Sequence, residues 1–297
     1  MDWDPTQFFR TDAHNPPSPY ALLVLNQPIN EKAFKVLREH ANYTICADGG
    51  ANRFYDLMRK NGLESTILPD CIIGDLDSIH ASVHTHYSSL GVTIIQDPDQ
   101  YSTDFTKSLK YLRTHTPDIT SPSPSSHSSY PQTAGNGRLE ILILGGLGGR
   151  VDQAFSQIHH LYLMTRSYSS DQAAGNLYLV SEESLTFILQ PGRNVIRTPK
   201  TNRPIPGSAA DSTDSTGCGG DGESETHLLE ENVGIIPISG PARITTKGFQ
   251  WDVEDWPTEI GGQLSTSNHI RADVVEVTAE VPILFTVELA KRFKRVR

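Results

Sequence analysis

The 297-residue sequence has few cysteines, methionines and tryptophans, three of each, and no long run of apolar residues. Cys46, Cys71 and Cys218 are too few and too widely spaced for a disulfide framework or a cysteine-based zinc site. No segment approaches the roughly 18 consecutive apolar residues that a membrane-spanning helix needs. The first 20 residues lack the basic start and apolar stretch of a signal peptide. We therefore expect a soluble, cytoplasmic protein with no membrane partner.

Positive charge is also scarce, with 25 Lys and Arg against 35 Asp and Glu and a formal net charge of -10. Proteins that bind nucleic acids or anionic membranes take much of their affinity from a basic surface, so this composition argues against both as general partners. It does not exclude a phosphorylated small molecule, because a local basic cluster or a bound metal can reverse the field at one place.

Two kinds of pattern divide the chain near Gly175. From residue 20 to 175, short apolar strands alternate with amphipathic helices, which is typical of a mostly parallel sheet covered on both faces. From residue 176 to 297, short strands are separated by Gly, Pro, Asn and Asp turns, which is typical of an antiparallel sandwich. We therefore expect an α/β domain followed by an antiparallel β-sandwich domain.

Other stretches predict details of this organisation. Residues 1–19 are interpreted as a Pro-rich segment ahead of the fold. Residues 116–137 and 199–226 are rich in Ser, Thr, Pro and Gly, and we expect them to be low-complexity insertions on the surface. The helix predicted over Val151–Met164 carries an apolar stripe, expected to face inward, of Val151, Phe155, Ile158 and Tyr162.

Four predicted strands of the first domain end in loops rich in aspartate and glycine. These loops are Asp48-Gly49-Gly50, Gly74-Asp75-Leu76-Asp77-Ser78, Gln96 to Asp104 and Gly145 to Asp152. In an open parallel sheet, ligands bind outside the carboxyl ends of the strands. The convergence of four such loops therefore predicts a binding site at this edge of the sheet.

The aspartates in these loops predict a metal site. Asp75 and Asp77 lie two residues apart just past a strand, and Asp48 and Asp104 are expected to join them from neighbouring loops. So many carboxylates cannot share a crevice ionised without a cation, and hard oxygen ligands select Mg²⁺. The alternative is that the aspartates form turns and helix caps, which is the favoured interpretation for Asp99.

The glycine-rich loop from Gly145 to Arg150 predicts a phosphate cradle, because it ends a strand and opens a helix. It lacks the Lys-Ser/Thr of a P-loop, so alone it is a weak signal. Arg150 adds a candidate bidentate phosphate ligand. Lys107, one helical turn after Asp104, is either a phosphate ligand or a solvated helix residue. Metal ligands, a glycine cradle and basic side chains together indicate phosphoryl-group transfer.

The ordered series of motifs resembles the eukaryotic thiamine pyrophosphokinase family. The motifs in the first domain are Asp48-Gly49-Gly50, Gly74 to Ser78, Asp99 to Lys107 and Gly145 to Gln153; those in the second are Gly234 to Pro237, Thr245 to Trp251 and Ser265 to Asn268. The resemblance spans about residues 20–290 without the two insertions. It implies an α/β domain, a β-sandwich and a homodimer with active sites between subunits.

The resemblance also implies an activity and a set of site residues. The family transfers the pyrophosphoryl group of ATP to the hydroxyethyl oxygen of thiamine, giving thiamine diphosphate and AMP. Implied metal ligands for Mg²⁺ are Asp75, Asp77 and Asp104. Implied ATP-binding residues are Asp48, Gly49, Gly50, Lys107, Gly146, Gly148, Gly149 and Arg150, and implied substrate-binding residues are Gln100, Thr103, Trp251, Ser267 and Asn268. For this reaction Asp104 or Asp152 could accept the thiamine hydroxyl proton; the sequence does not choose between them, and a mechanism without a strong base is the alternative.

Trp251 has two interpretations. Alternation over Phe249–Val253 predicts a strand with Phe249, Trp251 and Val253 on one face, and all three could be core residues. A large ring with one N–H donor also suits a site that is half apolar and half wet, where it can stack on an aromatic, cationic ligand. With the resemblance included, the ligand interpretation is favoured for Trp251.

Two other functions remain open from the residues alone. One is a non-catalytic sensor of thiamine or nucleotide that keeps the fold, and the other is a Mg²⁺-dependent phosphohydrolase that uses the same carboxylates. The full set of Asp75, Asp77, Asp104, Lys107 and Arg150 argues against a sensor, because a binder does not need it. A hydrolase needs no pocket for thiamine.

Overall fold

The computed structural model describes residues 1–10, 16–121, 138–168, 174–204 and 226–295. They form two compact units. The α/β unit comprises Gln7–Glu182 with the residues from Arg295, and the β unit comprises Met1–Thr6 with Glu183–Lys294. The stretches 122–137 and 205–225, which make up most of the two expected insertions and include Cys218, lie outside the described residues.

The helices and strands follow one another in a simple order along the chain. They are β1 (Asp2–Trp3), β2 (Tyr20–Val24), α1 (Glu31–Glu39), β3 (Tyr43–Ala47), α2 (Gly50–Lys60), β4 (Cys71–Gly74), α3 (Ala81–Ser89), β5 (Thr93–Gln96), α4 (Asp104–Thr114), α5 (Thr116–Thr120), β6 (Leu139–Leu144), α6 (Val151–Tyr168), β7 (Ala174–Val180), β8 (Ser184–Leu189), β9 (Gly192–Arg197), β10 (Thr201–Asn202), β11 (Leu229–Pro237), β12 (Ala242–Lys247), β13 (Trp256–Thr258), β14 (Ser265–His269), β15 (Val274–Ala279) and β16 (Ile283–Leu289).

The α/β unit contains a parallel sheet with strand order β7-β6-β2-β3-β4-β5. The strands β2 and β6 are buried along their whole length. In a parallel sheet whose two faces are both covered, side chains on either side of a central strand are buried, which explains why these strands are continuous apolar runs without alternation. Helix α1 begins after Asn30, whose side chain accepts a hydrogen bond from the Ala33 backbone N–H. The predicted α/β class is confirmed.

The order of these strands reverses beside β2, which lies between β3 and β6. The connections on either side of such a switch point leave the sheet in opposite directions and open a crevice at the carboxyl ends of the strands. Here the loops after β2 and β6 flank that crevice. The fold therefore predicts a ligand site between Leu25 and Gly145.

The β unit consists of two mainly antiparallel sheets. One has the order β1-β9-β15-β12-β13, and the other has β10-β11-β16-β8 with β14 also paired to β11. The Trp3 and Phe187 rings, one from each sheet, have centroids 4.8 Å apart. This packing is that of the expected β-sandwich, and the fold class is confirmed.

Three stretches are more ordered than their composition suggests. Within residues 1–19, Asp2–Trp3 pairs in parallel with β9, and Phe8 and Phe9 are fully buried. The first expected insertion begins with helix α5 and the second contains β10, which pairs with β11. These Pro- and Ser-rich stretches contain a few aromatic and β-branched side chains that are buried. The average composition of a stretch does not reveal such single residues.

The strand expected to open the second domain belongs to the parallel sheet. Residues 177–180 lie in β7, which pairs in parallel with β6. A short apolar strand has the same pattern in a parallel sheet and in a sandwich core, so its sequence could not assign it.

The strand expected over Phe249–Val253 is wrong. This stretch is a turn in which the Asp252 carboxylate accepts hydrogen bonds from the backbone N–H groups of Gly248 and Phe249. Gly248 has φ of 94°, which favours glycine. A side-chain oxygen that satisfies nearby backbone donors replaces the ladder of a strand.

Helix α6 is oriented differently from the expectation. Val151 and Phe155 are 70% and 66% exposed, although both belong to the apolar stripe expected to face inward. Leu161 is fully buried instead. Across the described residues, every helix is too short or too polar to cross a lipid bilayer.

Candidate active site

The loop after β3 places the Asp48 carboxylate at the edge of the parallel sheet. Asp48 is 1% exposed, and its two carboxylate oxygens accept hydrogen bonds of 3.0 Å from the backbone N–H groups of Ser78 and Ile79. Burial raises the pKa of Asp48, and the nearby carboxylates of Asp104 and Asp75 add to this effect. The residue is thus a buried acid beside two others.

Three carboxylates meet at this edge. Oxygens of Asp48, Asp75 and Asp104 all lie within 4.8 Å of one another. Asp75 follows β4, and Asp104 opens α4, so two neighbouring strand ends and one adjacent loop supply them. We call these three residues the carboxylate cluster. Their oxygen donors and excess negative charge fit a divalent hard cation such as Mg²⁺.

Gly74 permits this close approach. A Cβ atom at Gly74 would lie 2.6 Å from the Cβ of Asp48 and 3.0 Å from Oδ1 of Asp104. The backbone N–H of Asp75 donates a 3.3 Å hydrogen bond to the same oxygen of Asp104. Glycine is therefore required where the chain passes between the two carboxylates.

Asp77, an expected metal ligand, lies outside the carboxylate cluster. Its backbone N–H donates to Oδ1 of Asp75, and its own Oδ1 accepts a 2.7 Å hydrogen bond from the Ser78 hydroxyl. The Asp77 N–H, the Gln100 side chain and the charge of Lys107 lower the pKa of Asp75. The structure thus groups Asp48, rather than Asp77, with Asp75 and Asp104.

Lys107 is buried beneath the carboxylate cluster. The residue is 3% exposed, and its Nζ donates hydrogen bonds to Oδ1 of Asp104 at 3.2 Å and to the Asp97 carbonyl at 2.9 Å. It is therefore not a solvated helix lysine. Its charge offsets part of the negative charge of the cluster.

The glycine-rich loop after β6 folds closely against the loop after β2. A Cβ atom at Gly145 would lie 2.8 Å from the Gln27 carbonyl oxygen, and Gly148 and Gly149 adopt positive φ. Beyond the loop, the exposed Arg150 guanidinium pairs with the Asp152 carboxylate at 2.6 Å. That hydrogen bond lowers the pKa of Asp152.

The remaining predicted residues of the α/β unit surround this region. Gln100 donates a 3.3 Å hydrogen bond to Oδ2 of Asp75, and Thr103 caps α4 by accepting from the Thr106 N–H. At the start of α2, Cβ atoms at Gly49 and Gly50 would collide with Asn26 and with the Val24 carbonyl. These two glycines let α2 begin directly against β2.

A cavity of about 170 Å³ lies at the switch point. It is lined by residues of the loops after β2, β3 and β6, of the carboxylate cluster and of helices α4 and α6, among them Asn26, Asp48, Gly49, Thr103, Asp104, Gly145, Gly146, Gln157 and His160. Sequence reasoning missed Asn26 and His160 as candidate site residues. The strand end after β2 and the polar spacing on α6 are the signals that could have found them.

Trp251, Ser267 and Asn268 lie in the β unit. The Asn268 side chain is buried and bonds both the N–H and the carbonyl of Trp251. This fixes the Trp251 backbone, while its side chain is 54% exposed and its ring lies 5.1 Å from that of His269. The core interpretation of Trp251 is therefore wrong. Ser267 is exposed and has φ of 55°.

Family models match both parts of the chain. Residues 34–199 match the model described as thiamin pyrophosphokinase, catalytic domain, and residues 223–284 match the one described as thiamin pyrophosphokinase, vitamin B1 binding domain. The two matches follow the same order as the motifs in the sequence.

Several relatives are similar over nearly the whole chain. Thiamine pyrophosphokinase 1 of Arabidopsis thaliana is 31% identical over 92% of this chain and 87% of its own length. The thiamine pyrophosphokinase of Saccharomyces cerevisiae is 30% identical over 85% and 79%. Among solved structures, the yeast thiamin pyrophosphokinase has a TM-score of 0.75 at 25% identity, covering 97% of this chain and 90% of that one. The Candida albicans enzyme has a TM-score of 0.73 at 26% identity, with 97% and 92% covered. The resemblance seen in the motifs is confirmed.

Proposed function

This chain belongs to the thiamine pyrophosphokinase family and is an ATP:thiamine diphosphotransferase, and we propose that its carboxylate cluster is the Mg²⁺ site of that reaction. The comparisons support the transferase and give no support to a sensor or a phosphohydrolase. The observation that carries the proposal is the convergence of Asp48, Asp75 and Asp104 within 4.8 Å. Asp77 stays a predicted ligand outside this cluster.

The donor set fits the metal. Three carboxylates supply hard oxygen atoms, and the pKa of Asp48 is raised by burial and, in addition, by the negative charges of Asp104 and Asp75. Mg²⁺ held there would offset the charge that develops on the phosphoryl oxygens. Lys107 holds Asp104 in place by its hydrogen bond, and we assign to it the orientation of this ligand.

The transfer itself forms one bond and breaks one. The hydroxyl oxygen of thiamine bonds to the β-phosphorus of ATP, the bond from that phosphorus to the oxygen bridging the α-phosphate breaks, and AMP leaves with this oxygen. The hydroxyl proton needs an acceptor. Asp104 and Asp152 are the two candidates for this role, and each is paired with a cation, Asp104 with the buried Lys107 and Asp152 with the exposed Arg150.

The triphosphate is assigned to the backbone N–H groups of the loop that contains Gly146, Gly148 and Gly149. Arg150 can exchange its exposed partner Asp152 for a phosphate oxygen, because a guanidinium binds carboxylate and phosphate with the same geometry. Correct positioning of the α–β bond then supplies much of the rate.

Thiamine is assigned to Gln100, Trp251, Ser267 and Asn268 and, on the resemblance alone, to Thr103, which also lines the switch-point cavity. Gln100 supports this by its contact with Asp75 of the carboxylate cluster. The exposed indole of Trp251 can attract a cationic thiazolium or stack on an aminopyrimidine, and Asn268 fixes the backbone that carries it.

We also assign to the enzyme a homodimeric state, with active sites formed between subunits, and a cytoplasmic location. The exposed apolar side chains of Val151 and Phe155 on α6 support an interface between two copies of this chain, because burial of exposed apolar surface is favourable in free energy. Phe155→Asp should shift the mass measured by light scattering from dimer to monomer, and an unchanged dimer would contradict the assignment of this surface to the dimer interface.

The free, buried thiols of Cys46 and Cys71 support a location in a reducing compartment, which fractionation of the source cells tests.

Metal dependence tests the central proposal. Chelation should abolish formation of thiamine diphosphate, and added Mg²⁺ should restore it. Calorimetry should detect Mg²⁺ binding to the enzyme with ATP, weakened in Asp48→Asn. Equal Mg²⁺ affinity of that variant and the parent enzyme would contradict the assignment of the cluster.

A further inference from the structure

One face of α6 carries polar side chains into the switch-point cavity. Gln153, Ser156, Gln157 and His160 all line it, at the spacing i, i+3, i+4 and i+7 that places residues on one side of a helix. The apolar Val151 and Phe155 are exposed elsewhere on the same helix. A helix that turns polar groups inward indicates that the cavity receives a ligand with polar atoms.

Two of these polar atoms have no partner. Among the described residues, Oε1 of Gln157 and Nδ1 of His160 are buried and form no hydrogen bond. Buried polar side-chain atoms in folded proteins are nearly always hydrogen-bonded, since an unmade bond costs free energy. The other ring nitrogen of His160 lies 3.4 Å from the Thr103 hydroxyl. Each of these two atoms therefore lacks the partner that a buried polar atom normally has, in a side chain that lines the cavity.

The chemistry of these groups restricts the ligand. Burial lowers the pKa of His160, so the neutral imidazole offers one donor and one acceptor, and the carboxamide of Gln157 does the same. Neither group carries a charge that would select phosphate or a thiazolium ring. They match a neutral group with hydrogen-bonding atoms, such as the ribose hydroxyls or base edge of a nucleoside or the aminopyrimidine of thiamine, and the position of the cavity decides between these.

The position of the cavity favours the nucleoside of ATP as its occupant. Gly145 and Gly146 of the glycine-rich loop line the same cavity, and so do Asp48 and Asp104 of the carboxylate cluster. A nucleoside next to the loop assigned to the triphosphate is the one attached to it. At about 170 Å³ the cavity suits one part of a nucleotide, because sites for whole ligands are typically about 300–1,000 Å³.

We propose that Gln157 and His160 bind the nucleoside of ATP and are specificity-determining residues for the nucleotide. This inference rests on the proposed assignment of the phosphates to the glycine-rich loop. It adds to the reaction a contact that distinguishes ATP from inorganic triphosphate.

The test compares ATP with inorganic triphosphate as ligands in calorimetric titrations with Mg²⁺. In the parent enzyme, ATP should bind more tightly than triphosphate. Gln157→Ala and His160→Ala should each weaken ATP roughly tenfold, the upper range for one hydrogen bond, and leave triphosphate within twofold. The exposed neighbour His159 gives a matched control, and His159→Ala should change neither affinity.

Retained affinity for triphosphate shows that a variant is folded. If an alanine variant does not fold, Gln157→Asn and His160→Asn provide milder substitutions at the same positions. Equal losses for ATP and triphosphate in folded variants, or no loss for either, would overturn the inference. So would a raised KM for thiamine with an unchanged KM for ATP, which would place thiamine in the cavity. Failure of the parent enzyme to form thiamine diphosphate would contradict the transferase assignment alone, because the titrations do not depend on turnover.

Discussion

The Nζ atom of Lys107 lies 3.2 Å from Oδ1 of Asp104, in a position where the lysine is almost completely buried. This buried ammonium offsets negative charge at the carboxylate cluster and holds the Asp104 carboxylate in a single orientation. Lys107→Met keeps most of the volume and removes this charged hydrogen bond. Such a bond is worth about 1.5–3 kcal/mol, so we expect kcat/KM to fall roughly ten- to hundredfold.

The exposed Lys110 on the same helix is the matched control. Lys110→Met should retain the activity of the parent enzyme. Steady-state kinetics and circular dichroism of both variants make the comparison. Equal kinetics for Lys107→Met and Lys110→Met, with both proteins folded, would show that Lys107 orients nothing in the site.

The carboxylate cluster gives a second prediction. Asp75→Asn and Asp104→Asn keep the size of the side chain and remove a charge, so the fold should persist. We expect turnover at limiting Mg²⁺ to fall on the order of 10²–10³-fold, as for loss of one transition-state electrostatic contact. Asp99 is the control, because its carboxylate accepts a hydrogen bond from the Tyr101 N–H in an exposed turn. Asp99→Asn should be nearly silent, and equal activity in all three variants would reject the metal site.

Trp251 gives a third prediction. Its exposed ring adds little to the core, so Trp251→Ala should leave the melting temperature unchanged. Loss of stacking or cation–π contact should raise the KM for thiamine roughly tenfold, with the KM for ATP unchanged. Ile260→Ala, at another exposed apolar position of the same unit, should change neither constant. A lower melting temperature with normal thiamine kinetics would return Trp251 to a structural role.

Glu140 predicts how stability depends on pH. Burial raises the pKa of this carboxyl on β6 from 4.5 to about 7, although it accepts a hydrogen bond from the Asn176 N–H. Below pH 4.5 both folded and unfolded chains keep the proton, and the contribution to stability is fully present. As the pH rises towards 7, the unfolded chain releases the proton first, so the free energy of unfolding falls by about 1.4 kcal/mol per pH unit from this group.

Glu140→Gln removes the titration while keeping an oxygen that accepts from Asn176. Urea unfolding at pH 5 and pH 8 should show a smaller loss of stability in this variant than in the parent enzyme. An exposed acid on α1 provides the control, and Glu39→Gln should follow the parent profile. Parallel profiles for the parent and Glu140→Gln would mean that the buried carboxyl does not titrate in this range.

The sequence was sufficient to predict which loops of the α/β unit bring carboxylates together, because these residues follow the ends of strands or open a helix. Each of Asp48, Asp75 and Asp104 follows an apolar run or opens a helix, and both signals are local. The sequence also placed Asp48 beside these carboxylates, but it did not show that Gly74 permits the close approach of the two loops, or that Asp48 rather than Asp77 completes the cluster. Nothing in the sequence distinguishes Asp77 from Asp75 as a metal ligand, because the two residues lie in the same loop after the same strand.

Other features depend on packing that no local pattern contains. The apolar stripe of α6 pointed to Val151 and Phe155 as core residues, whereas the helix turns its polar Gln157 and His160 inward. Apolar periodicity identifies a face but not what covers it. Likewise, Trp3 is buried through a short strand that pairs with residues almost 200 positions away.

The identity of the transferred group distinguishes a diphosphotransferase from a monophosphate kinase and from a hydrolase. The enzyme is incubated with thiamine, Mg²⁺ and ATP labelled at the β-phosphorus, and the products are separated. We predict AMP and thiamine diphosphate in equal amounts, with the label in thiamine diphosphate, and turnover lower on the order of 10²–10³-fold in Asp75→Asn at limiting Mg²⁺. Label in ADP or in free phosphate, without thiamine diphosphate, would contradict this prediction.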